Sequence, residues 1–296
     1  MFCILLSTYN GEKYLGELLE SISKLKDVEV RLLVRDDGST DKTTVLLDSW
    51  KEKLLLEWYT GENLRSARSF LDLIEKSPEA DYYAFCDQDD VWLPDKLSVA
   101  EKKLSSAKGP AMYFSQTQMV DADLNPISTP TLKPGCTLME SLTKSVVTGC
   151  TMVINKKLMD YLKMYKPSRV LMHDSWVYKL CMSLGGEVMF DPQSHILYRQ
   201  HGNNVMGLKK DNKKEWKRRW RESIVNSERL RSKEVVAIVE NYNDYLPDFN
   251  KKLLTMIADY PTNIRHKCGL LLSKTFRGDS VKDTLLLKLL VLTNKF

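Results

Sequence analysis

The sequence predicts an α/β fold: a Rossmann-like, mostly parallel sheet flanked by helices, with a C-terminal helical extension. Three observations predict it. Short apolar runs alternate with stretches of helical period over residues 2–86. Three of those runs pass directly into polar clusters, two of them rich in aspartate. From about residue 208 the chain turns polar, basic and helical, which divides the 296 residues into an α/β domain at 1–207 and a basic helical region at 208–296.

The elements follow in order. "FCILLS" (2–7) is a continuous apolar run, as expected for a strand buried on both faces. Tyr14, Leu15, Leu18, Leu19, Ile22 and Leu25 then form one helical stripe. "VEVRLLV" (28–34) reads as the second strand, and "DDGSTD" after it as a turn that supplies the N-cap of a helix ending at Trp50. "LLLEWY" (54–59) is the third strand. Ala67, Phe70, Leu71 and Ile74 mark the next helix, and "YYAFC" (82–86) the fourth strand. This βαβαβαβ order implies parallel pairing with helices on both faces. Beyond residue 110 the pattern loosens; "AMYFSQTQMV" and "VMFDPQSHILYRQ" read as strands of a mixed edge.

Composition narrows the class. Hydrophobic residues make up 43% and charged residues 28%, which suits a folded domain with a sizeable core. The six cysteines are widely spaced with no CxxC pair, so free thiols in a reducing compartment are expected. The N-terminus reads as a strand and not as a secretory signal, and no apolar run reaches the about 18 residues of a spanning helix. A cytoplasmic protein is expected. The net charge of +5 is concentrated in "KKDNKKEWKRRWR" (209–221), where Trp216 and Trp220 share a helical face. That pattern suits the surface of an anionic membrane, the inner face of the cell membrane; the alternative is a solvated helical cap. No nucleic-acid motif accompanies the charge, so no nucleic acid is expected as a partner.

"STYN" (7–10), "DDGS" (36–39) and "DQDD" (87–90) each follow a strand, so all three fall on the carboxyl rim of the sheet, where such folds bind ligands. Neighbouring aspartates repel unless a cation lies between them or one is neutral. Hard oxygen ligands suit Mg²⁺ or Mn²⁺, whose shells are completed by phosphate oxygens and water. The alternative is a turn that caps the helix beginning near Pro94.

"ILLSTYNGEKYLGELLESI", "VRDDGSTDKT", "YYAFCDQDDVWLPDKL", "TGCTMVINKKL", "HDSW" and "YRQHGNN", in this order and spacing, resemble the family 2 glycosyltransferases of the GT-A fold, and among them bacterial rhamnosyltransferase-like members that build cell-surface polysaccharides. The resemblance covers about residues 1–207. It implies an inverting transfer of a sugar, L-rhamnose, from a dTDP- or UDP-sugar to a glycan or lipid-linked glycan. It places Ser7, Tyr9 and Asp37 at the nucleotide, with a plain turn as the alternative for Asp36–Asp37. Arg68 falls near the diphosphate, although Arg65 stands where glycine is common; a solvated Arg68 is the alternative. The family's DxD falls on Asp87–Gln88–Asp89, with Asp87 on the nucleotide side and Asp89 on the metal. Asp90 is expected to cap the following helix or to orient the acceptor. His201 is expected to reach the metal or diphosphate.

Inversion needs one base for the acceptor hydroxyl. The resemblance puts it at Asp174, at the start of a helix, ionised at neutral pH with an ordinary pKa of about 3.9; capping that helix is the alternative role. His173 stands where the family often has an acid. Trp92 and Trp176 either wall the acceptor or pack in the core. Two rivals remain: a sugar-phosphate nucleotidyltransferase, against which the single glycine of "STYNGEKY" counts, and a non-catalytic nucleotide-binding domain.

Overall fold

The structure is a computed structural model and describes residues 1–201 and 230–296. The front of the chain runs β1 (Phe2–Thr8), α1 (Leu15–Ser23), β2 (Val30–Asp36), α2 (Thr43–Trp50), β3 (Leu56–Thr60), α3 (Arg65–Lys76) and β4 (Tyr82–Asp87). It continues with β5 (Val91–Trp92), α4 (Lys96–Leu104), β6 (Ala111–Val120), α5 (Leu138–Thr143), a 3-10 turn at Gly149–Thr151, β7 (Val153–Asn155), α6 (Lys156–Met164), α7 (His173–Ser183) and β8 (Glu187–Arg199). The described C-terminal helices are α8 (Leu230–Tyr242), α9 (Asp248–Asp259), α10 (Ile264–Leu272) and α11 (Val281–Leu292). The basic run at 209–221, and with it Trp216 and Trp220, lies outside the described residues.

The strands form one sheet in the order β3-β2-β1-β4-β7-β6-β8-β5. β3, β2, β1 and β4 pair in parallel, as the alternation of the first ninety residues implies. The second half is mixed: β7 inserts between β4 and β6 and is antiparallel to both, while β6 and β8 are parallel. Strand period 2 splits the side chains between two cores. Cys3, Leu5, Tyr83, Phe85, Met112 and Phe114 face one layer, with α3, α6 and α7. Phe2, Ile4, Leu6, Ala84, Cys86 and Tyr113 face the other, with α1, α2 and α4. The C-terminal helices join the first layer: Val235, Ile238, Leu254, Ile257, Leu290 and Val291 are buried in the same cluster as Trp176 and Tyr178 of α7.

Register decides what meets at the carboxyl rim. Ser7 pairs with Arg35 on one side and with Asp87 on the other, and Thr8 pairs with Asp36. The three polar clusters therefore sit side by side at the ends of β2, β1 and β4.

Candidate active site

Each cluster has its own local chemistry. Asp36 is 1% exposed and accepts from the backbone N–H groups of Gly38 and Ser39 and from the Thr8 and Ser39 hydroxyls. It shapes the turn, in which Gly38 takes a left-handed φ of 80°. The N-cap position of α2 is Lys42, without a side-chain cap, and Asp41 just ahead of it accepts the Thr43 N–H at 3.0 Å. Asp37, 4% exposed, forms a buried ion pair with Arg35 and accepts from the Ser69 hydroxyl and the Leu64 N–H. A carboxylate has about four lone-pair positions, so one remains for a further donor. Arg68 is exposed on the first turn of α3. Arg65 opens that helix with a φ of 62°, a backbone region that favours glycine.

The loops after β1 and β4 are tied together by a residue the sequence reading passed over. The Gln88 side chain accepts the Tyr9 N–H at 2.9 Å and donates to the Tyr9 carbonyl at 3.1 Å. A Cβ on Gly11 would collide with the Gln88 amide, so glycine lets the two loops close. The Tyr9 ring is left 47% exposed at the rim and available to stack on a base.

The three aspartates of "DQDD" part company. Asp87 is half-buried at the end of β4. Burial, and then the charges of Asp89 and Asp174, push its carboxyl up to about 7. Asp89 lies 2.7 Å from His201 Nε2, and the His201 ring stacks on Tyr14. Asp90 does not cap the following helix. It is fully buried and accepts the Arg199 N–H at 3.0 Å, and α4 begins only at Lys96 with Asp95 ahead of it. Burial, reinforced by the charges of Asp89 and Asp87, raises its pKa well above the ordinary value. Arg199 also went unnoticed. Its Nε donates to the Asp89 carbonyl at 2.9 Å, its guanidinium lies over Tyr14, and it pairs with Glu17 of α1. It fixes the backbone of the acidic loop from beneath.

The residues present suit a hard divalent cation. Asp89 and His201 are already in contact, with Asp87 beside them at the end of β4. The ligand atoms of Asp87, Asp90 and Cys150 also lie within 4.8 Å of one another, but Cys150 is a buried thiol that a hard cation does not favour. The upward shift of Asp87 comes first from burial and then from the charges of Asp89 and Asp174, and a cation would offset the second of these causes.

Asp174 stands in the first turn of α7, 8% exposed. The Ser175 N–H donates to it at 2.6 Å. The expectation of an ordinary pKa is corrected: burial outweighs the hydrogen bonds from Ser175 and Gly149 and raises the carboxyl to about 6. The 3-10 turn connects the two acidic centres, Gly149 bonding Asp174 while Cys150 lies by Asp87 and Asp90. His173 is no acid equivalent. It stacks on Phe70 at 3.9 Å, and burial drives its pKa down to about 3, so it is a neutral ring in the core. Trp92 and Trp176 are buried among core side chains, the second of the two roles expected for them.

The start of α7 is held from behind by a C-terminal residue with no signal in the sequence. Glu234 of α8 is buried, accepts the Leu171 N–H at 2.9 Å and forms an ion pair with Lys179, itself buried. It thus grips the chain on both sides of Asp174.

Residues 3–162 match the model of the family described as glycosyl transferase family 2. The dTDP-rhamnosyl transferase RfbG of Shigella flexneri is 27% identical over 237 residues, 72% of this chain and 77% of that protein. Among solved structures, Staphylococcus aureus TarS 1–349 in complex with UDP-GlcNAc superposes with a TM-score of 0.58 at 17% identity, over 93% of this chain and 76% of that one. The mannosyltransferase PcManGT of Pyrobaculum calidifontis, in complex with GDP-Man and Mn²⁺, gives 0.55 at 15% identity, over all of this chain and 88% of that one. These two likenesses show the GT-A fold.

Proposed function

We propose, from the premise that the chain belongs to glycosyl transferase family 2, that it transfers L-rhamnose from dTDP-rhamnose, or a related sugar from a UDP donor, to a glycan with inversion at the anomeric carbon. The observation that carries this reading is the gathering of Asp87, Asp89, His201 and Asp174 around one carboxyl rim. Residues 1–207 would be the catalytic domain and 208–296 a basic C-terminal region, of which the described helices α8 to α11 pack on that domain.

In this reading Tyr9 stacks on the base and Asp37, with Ser7 beside it, accepts the base N3–H through its remaining lone pair. Arg68 lies toward the diphosphate. Asp89 and His201 would hold Mg²⁺ or Mn²⁺, with Asp87 on the nucleotide side, and that ion would supply positive charge against the leaving diphosphate. Asp174 takes the proton of the acceptor hydroxyl as its oxygen attacks the anomeric carbon. The bond from that carbon to the diphosphate oxygen breaks on the opposite face, and the nucleoside diphosphate leaves. Relatives include a dTDP-rhamnosyl transferase, which supports dTDP-rhamnose as the donor. A lipid-linked acceptor would bring the enzyme to the inner membrane face, where the basic run at 209–221 meets anionic lipid.

The test offers dTDP-L-rhamnose and UDP-sugars, each with Mn²⁺, together with a lipid-extract acceptor, and reads the product linkage by NMR. The expected result is nucleotide release coupled to a new linkage of configuration opposite to the donor. A retained configuration would remove the single-displacement mechanism. Nucleotide binding without any transfer would leave a non-catalytic domain.

A further inference from the structure

Helix α11 is apolar on two sides. Leu287, Leu290 and Val291 turn inward and are buried in the core. Val281, Leu285, Leu289 and Leu292 are 78%, 64%, 40% and 57% exposed. Their spacing of four, four and three residues puts them on one stripe along the outward face. A helix at a water-facing surface ordinarily carries polar residues there. The neighbouring helix α10, which packs on α11, ends at Leu272, 82% exposed. Charge accompanies the stripe. Residues 261–296 contain seven Lys and Arg against Asp279 and Asp283. Lys274, Arg277 and Lys282 are exposed, and Lys288 lies within the stripe.

We propose that the outward face of α11 docks on an anionic membrane surface. The leucines enter the boundary between headgroups and acyl chains while the flanking cations meet lipid phosphates. A helix of 12 residues lying flat presents about 18 Å of such a face. Self-association through the same face is disfavoured by charge, because two copies would bring the same cationic segments together. The inference assigns the membrane contact proposed above to a second surface, made of described residues, and does not depend on transfer activity.

The test is flotation of the full chain with neutral phosphatidylcholine vesicles, and with vesicles in which part of that lipid is replaced by phosphatidylglycerol. Three proteins are compared: the wild type, a Leu285→Ser/Leu289→Ser variant, and a variant with the lysines of 209–221 changed to Gln. The wild type is expected to float with the anionic vesicles only. The double Leu variant should lose about tenfold or more of that partition with an unchanged thermal melt, since both side chains are exposed. A wild type that stays at the bottom of the gradient overturns every membrane reading. Flotation that survives in the double Leu variant and disappears in the 209–221 variant overturns this inference alone. A dimer seen by light scattering and abolished by the double Leu variant, without flotation, would make the face a self-association surface and likewise overturn it.

Discussion

Asp174→Asn is expected to lower the turnover of glycosyl transfer by about 10²- to 10⁴-fold, the usual contribution of a positioned general base, with nucleotide affinity unchanged. The substitution keeps the shape of the side chain and an oxygen for the Ser175 N–H, so the first turn of α7 should persist. The wild-type pH profile carries the same argument. Burial raises the Asp174 carboxyl to about 6, and only the ionised form takes a proton. Turnover should therefore rise as pH increases through about 6 and level off above it, and the variant should lose that limb. Steady-state rates across the acid range, with bound nucleotide measured separately, check both points. An unchanged rate in the variant would assign Asp174 to helix capping.

The largest effect on stability is expected at the other end of the chain. Glu234→Leu leaves Lys179 charged and buried without its partner and strips the Leu171 N–H of its acceptor. Breaking a buried ion pair from one side costs about 3–5 kcal/mol. Burial already lowers the Lys179 pKa, and removal of Glu234 takes away the attraction that opposes that shift. Lys179→Met combined with Glu234→Leu should recover most of the loss, because an apolar pair of similar volume is often neutral. Urea unfolding of the two single variants and the double variant measures this directly. Full recovery of stability with turnover still depressed would show that the contact to Leu171 also matters for the placement of Asp174.

The parts of the fold that were legible in the sequence are those specified locally. Continuous apolar runs buried on both faces, each ending in polar residues, mark β1, β2 and β4 and bring Ser7, Asp36 and Asp87 to one rim. The path of β7 between β4 and β6 has no local signature, because a strand of three residues is placed by its distant partners. The same holds for the site. Asp87, Asp89 and His201 stand in recognisable strings, but the different fates of the three neighbouring aspartates depend on β5 pairing with β8 and on Arg199 behind the loop. Gln88 and Glu234 were missed because their partners lie 79 and 63 residues away. Arg65 was noticed as a departure from glycine, and its positive φ gives the reason why glycine suits that position.

The central claim is that the carboxylates at this rim grip a diphosphate through a divalent cation. Calorimetric titration with UDP, dTDP and GDP, each with and without Mn²⁺, on the wild type and on Asp89→Asn, tests it most directly. The account predicts that UDP or dTDP binds tightly only when Mn²⁺ is present, and that Asp89→Asn abolishes the metal-dependent part. Binding that is equal with and without the metal, or that survives Asp89→Asn unchanged, would contradict it.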